Sequence, residues 1–113
     1  MSYQQQINEL DANIKELQGM VDLGKSLDAL QKNRHFKKVI EQGYLEEEAV
    51  RLVHLKGNVN VQDERQQASI NKQIDSIGCF ASFLDLVAQK AEAAAEAIDE
   101  CEEARAELEA EAD

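Results

Sequence analysis

Proline is missing from this chain, and so is tryptophan. Without proline, no position removes a backbone donor or clashes with the carbonyl four residues back, so helices can run long. Aromatics make up only 4% of the 113 residues, which leaves Ala, Leu, Ile and Val to build the core. There is no excess of positive charge. The formal net charge is −11, and such a chain repels the phosphates of nucleic acid and of anionic membrane. No direct nucleic-acid contact and no membrane docking is therefore expected. No apolar run approaches the ~20 residues that span a bilayer. The opening MSYQQQINEL lacks the basic start and apolar stretch of a signal peptide. The chain is expected to be made and kept in a cytoplasm.

Cysteine is scarce too. Cys79 and Cys101 fall on one predicted helix, where their separation would be ~33 Å. A disulfide needs Cα atoms within ~7 Å, so free thiols are expected. Neither His35 nor His54 has a cysteine or glutamate at metal-ligand spacing. No nucleophile elbow, glycine-rich phosphate loop or convergent acid pair is present. The expectation is a non-enzyme with no catalytic, cofactor-binding or metal-binding residues.

What is present is helical periodicity. Ser2 and Gln5 form a capping-box pattern. Ile7, Leu10, Ile14, Leu17 and Val21 then recur at three–four spacing, the mark of an amphipathic helix. Gly19 and Gly24 weaken that stripe, and a bend or end is expected at Gly24. Asn33 suits the N-cap of a short helix with Phe36, Val39 and Ile40 on its buried face, and Gly43 suits its stop. A second short helix is expected over 44–56, with Leu45, Ala49, Leu52 and Val53 on one face and Gly57 ending it. Residues 58–61 read as a loop.

The last fifty residues carry the longest pattern: Ile70, Gln73, Ile77, Phe80, Leu84, Val87, Ala91, Ala94, Ile98, Cys101, Arg105 and Leu108. This is a heptad seam, apolar at all but Gln73 and Arg105. It predicts one helix from about Gln62 or Asp63 to about Ala110, with Gly78 as the place for a kink. Up to Ala88 the apolar face is broad, as for a core. Beyond Ala91 it narrows to alanine and isolated larger residues, and nine acidic side chains against one basic crowd positions 96–113.

The predicted architecture is all-α: a small helical bundle with a long C-terminal helix and an N-terminal amphipathic helix. It divides into an amphipathic arm (1–26), a helical body (27–90) and an acidic helical arm (91–113). The expected core is Phe36, Val39, Ile40, Leu52, Val53, Ile70, Ile74, Ile77, Phe80, Leu84 and Val87. Two apolar stripes on projecting arms imply pairing with each other or with other chains. The reading favours contacts to other chains through Ile7, Leu10, Ile14, Leu17 and Val21, and through Ala91, Ala94, Ile98 and Leu108. Arg34, Lys37 and Lys38 form, with Lys32, the one basic cluster; it reads either as the polar side of a short helix or as a receiver for the acidic tail of a neighbouring copy, with Glu96, Asp99 and Glu103 as the contacts.

The stretch FKKVIEQGYLEEEAVRLVHLKGNVNVQDERQQASINKQIDSIG, from Phe36 to Gly78, resembles a recurrent segment in small acidic helical proteins of tailed bacteriophages. Those proteins are associated with virion or head-morphogenesis gene clusters. The resemblance covers the middle third, leaves both ends unmatched and carries over no functional residue. It implies a capsid-associated, connector-associated or assembly role, with copies of the chain and other phage structural proteins as partners. The alternative is an acidic inhibitor that imitates DNA and occupies the basic groove of a host nucleic-acid-binding protein.

Overall fold

The structure is a computed structural model that describes residues 2–112. It is all-α, with no strand among the described residues. Helix α1 spans Tyr3–Lys32. Helix α2 is a continuous run of three segments: Arg34–Phe36 in α geometry, Lys37–Glu48 in π geometry and Ala49–Lys56 in α geometry. Helix α3 spans Glu64–Ala112. None is long and apolar enough to cross a membrane.

The caps follow the sequence closely. Ser2 N donates to Gln5 Oε1 at 3.0 Å and Gln5 N to Ser2 Oγ at 3.2 Å, a reciprocal box that satisfies orphan donors at the start of α1. Asn33 Oδ1 accepts from His35 N (2.8 Å) and Phe36 N (3.1 Å) to start α2. Asp63 caps α3 through Gln66 N at 3.2 Å. Helix α2 ends at Gly57, which keeps a right-handed conformation. The carbonyls around that end are satisfied by two glutamines. Gln62 Nε2 donates to Lys56 O and Asn58 O, and Gln67 Nε2 to Lys56 O and Val61 O, at 2.6–3.1 Å.

Two expectations fail within α2. Gly43 does not stop the helix, and 34–56 is one element. Val39 and Val53, expected in the core, are 63% and 58% exposed. For Val39 the cause is the π geometry of Lys37–Glu48; Val53 lies in the α-geometry segment, one position past the buried Leu52. Bonding from i to i+5 winds more residues into each turn, so the inward positions recur in steps of four and five. They are Phe36, Ile40, Tyr44 with Leu45, and Ala49, all half-buried. Val39 falls outside that rhythm. The long helix is likewise unbroken at Gly78, and α1 passes through both Gly19 and Gly24.

The chain divides into two compact units. The central unit comprises 28–85. Its core is Leu52, Ile70 and Ile77, with Tyr44, Leu45, Ala49, Leu55, Val61 and Ile74 packed around them. Tyr44 and Phe80 meet edge to face with centroids 5.9 Å apart, a preferred aromatic geometry. The end unit comprises 2–27 and 86–112. The stretches read as two separate arms are thus partners of one another. Ile7, Leu27, Val87 and Ala94 are buried, while Leu10, Ile14, Leu17, Val21, Ala91, Ile98 and Leu108 are half-buried.

Gly19 lies on the exposed side of α1, and a Cβ built there meets nothing within 4 Å. Gly19→Ala therefore gains helix propensity without a clash. An increase in unfolding free energy of about 0.5–1 kcal/mol is expected, read from urea denaturation followed by circular dichroism.

Candidate functional site

The residues singled out as interface positions are brought together in the end unit, where α1 and the C-terminal half of α3 run alongside each other. The two helices approach closely at Gly24 and Ala91: a Cβ added at Gly24 would overlap the Ala91 Cβ and come within 3.7 Å of its Cα. Small residues there let the backbones approach, and this is why the stripe has a glycine at position 24. Further along, Arg105 Nε lies 3.2 Å from Asp11 Oδ1 and 3.7 Å from Glu109 Oε1. The Nε atom is shielded from solvent but aims its N–H at neither carboxylate, so the contact is one of charge and not an aligned hydrogen bond. A polar residue on an otherwise apolar seam specifies register, and Arg105 has its counter-charge on the facing helix. The other polar seam position, Gln73, bonds back within its own helix to Ser69.

A shallow groove runs along the end unit between Gln6, Glu9, Leu10 and Asn13 on one side and Ala104, Glu107, Leu108 and Glu111 on the other. In the central unit a second groove is lined by Tyr44, Glu48, Arg51, Leu52, Gln73, Ser76 and Ile77. Both are open. Among the described residues no group of three His, Cys, Asp or Glu side chains converges as a metal site would require. Cys79 is an exposed free thiol and Cys101 a half-buried one.

Charge is divided sharply between the two units. Residues 1–27 and 86–113 hold fourteen acidic and four basic side chains, a net −10; residues 28–85 hold nine and eight, a net −1. Glu96, Asp99 and Glu103 are exposed in the end unit, and Arg34, Lys37 and Lys38 in the central unit. These six make no ion pair with one another among the described residues. Lys32, beside the basic cluster, is paired with Asp28 at 2.8 Å. That hydrogen bond and the carboxylate charge hold its ammonium above the ordinary lysine value. Arg51 is likewise held up by its hydrogen bond to Glu48 and by that charge. Arg34, Lys37 and Lys38 are in no ion pair among the described residues, nor are several other lysines and Arg65.

Sequence reasoning missed the two glutamines that close the 57–63 loop; pairing of the two stripes with each other was one of the two alternatives it offered, and the structure brings them together in the end unit. Gln62 and Gln67 carry no pattern of their own. The Arg105 interruption of the seam was visible, but its partner Asp11 lies 94 positions away. Comparisons of the chain with family models, characterised proteins and solved structures gave no match.

Proposed function

We propose that the chain is a non-enzymatic structural or assembly protein of a tailed-phage particle, acting through helix–helix contacts as an oligomer with other copies of itself and with other particle proteins. The observation that carries the reading is the division of charge. An acidic helix pair and an exposed basic cluster sit on different units of one chain, so each copy has a surface that attracts the other surface of a second copy. Such heterologous contacts build rings or filaments. The phage setting is part of the proposal and comes from the resemblance read in the sequence of Phe36–Gly78. Partners that dock through charge meet faster and are discriminated by sign.

The test is the copy number of the chain in purified native particles, together with self-association followed at rising salt. A stoichiometry matching a ring or shell symmetry, and association that weakens as salt screens the charges, are expected. Absence from particles and salt-independent behaviour would contradict the proposal.

A DNA-mimicking inhibitor is the second reading, favoured by the same concentration of exposed carboxylates. It predicts that Glu96→Gln, Asp99→Asn and Glu103→Gln together abolish binding to a basic host protein while leaving particle incorporation untouched. Removing the C-terminal segment is a poorer test, because it also strips α1 of its packing partner.

A further inference from the structure

The two helices of the end unit present matching faces to its groove. On α1 the face is Gln6, Glu9, Leu10 and Asn13, and on α3 it is Ala104, Glu107, Leu108 and Glu111. Both follow the spacing i, i+3, i+4, i+7, which keeps four side chains on one side of a helix for two turns. In each, a glutamate directly precedes a leucine. Leu10, Leu108 and Ala104 are half-buried, and Glu9, Glu107 and Glu111 are exposed. Together they line a space of about 360 Å³ that the pair leaves unfilled.

An apolar floor between carboxylate rims fits an amphipathic helix with cations along its flanks. Its apolar side chains would enter the groove by the packing that joins helix to helix, and its lysines or arginines would reach the glutamates on either side. Charge decides among the occupants. A second end unit carries the same net −10 and would set glutamates against glutamates. The chain's own basic cluster has the right sign but lacks an apolar stripe to fill the floor. Over the first two turns of α2 its exposed apolar neighbour is Val39 alone, because Phe36 and Ile40 are half-buried. We infer that the groove of the end unit is a docking site for a basic amphipathic helix of another protein, laid between α1 and α3 to complete a three-helix bundle. The inference goes beyond the self-association proposed above and does not depend on it, since Arg34, Lys37 and Lys38 take no part.

The test is fluorescence anisotropy with the full-length chain and a labelled peptide of roughly 20 residues, long enough to form a helix. The peptide has leucines alternately three and four positions apart and lysines at the flanking positions. A matched peptide has serine in place of each leucine and the same charge. The leucine peptide should bind saturably, and the serine peptide roughly tenfold or more weakly, because it has nothing to bury in the groove. Glu9→Gln, Glu107→Gln and Glu111→Gln together should weaken the leucine peptide roughly tenfold or more, as three rim pairs of modest strength are lost. Glu96→Gln, Asp99→Asn and Glu103→Gln, an equal loss of charge outside the groove, should change its affinity by less than about threefold. Circular dichroism should show unchanged helicity in both triple variants. Absence of binding by the leucine peptide, equal binding by the serine peptide, or equal weakening by the two triple variants overturns the inference. None of these results touches the self-association reading, which its own salt dependence and copy number decide.

Discussion

Leu52→Ala should unfold the central unit at far lower urea than the wild type requires. Leu52 is the most buried large side chain in the chain, at 1% exposure, and it joins α2 to Ile70 and Ile77 of α3. Removing three buried carbons and leaving a cavity costs about 2–5 kcal/mol. A domain this small has a total stability of roughly 5–15 kcal/mol, so the loss is a large share of it. Val53→Ala is the matched control. Its neighbour in sequence is exposed, and a change within about 0.5 kcal/mol is expected. Equal losses for the two would show that Val53 is packed inward as Leu52 is, against the exposure found for it.

Gly24→Ala should destabilise the end unit, against the propensity rule. In an isolated helix the change gains up to about 1 kcal/mol, as expected at Gly19. At position 24 the new methyl would occupy the space of the Ala91 Cβ. Both atoms are attached directly to backbone, so no rotamer change relieves the overlap and the helices must separate. Overpacking of this kind costs about 1–3 kcal/mol. Ala91→Gly, introduced with it, restores the room. The double variant should therefore be more stable than the sum of the single changes predicts, the sign of a direct contact. Additive effects in chemical denaturation would mean that the two positions do not touch.

These two residues also show how far the sequence could be read. The seam positions, the capping box at Ser2 and Gln5, the Asn33 cap and the stop at Gly57 depend on neighbours within one turn, and the structure contains them all. Gly24 was equally visible, but local reasoning treats a glycine in a stripe as a weak point where a helix bends. Its meaning depends on Ala91, which periodicity cannot supply. The exposure of Val39 has a related origin, because an apolar pattern is assigned to a face only after the pitch is known, and the π-helical pitch of Lys37–Glu48 differs from the one assumed. The two stripes were legible as sticky surfaces. That they face each other within the end unit is a long-range pairing, which no stripe encodes by itself.

The reciprocal pairing has a consequence for function. Side chains such as Ile14 and Leu17, half-buried in the end unit, are engaged within the chain. What the end unit presents outward is mainly its charge. Variants designed to probe partners should therefore alter exposed charge, because changes to the inner stripe would damage the fold first.

The most direct measurement of this account is a cross-link between the two paired helices, made so that links within a chain and between chains can be told apart. Asp11→Cys and Arg105→Cys replace two side chains that touch, in a background with Cys79→Ser and Cys101→Ser. Isotope-labelled and unlabelled chains are unfolded together, refolded as a mixture and joined by a short bismaleimide. Linked peptides are then weighed by mass spectrometry. Linked pairs carrying one isotope composition only are predicted, because each chain supplies both helices of its own end unit. Linked pairs of mixed composition, in statistical proportion, would contradict the account and return the two stripes to the role of contacts between chains.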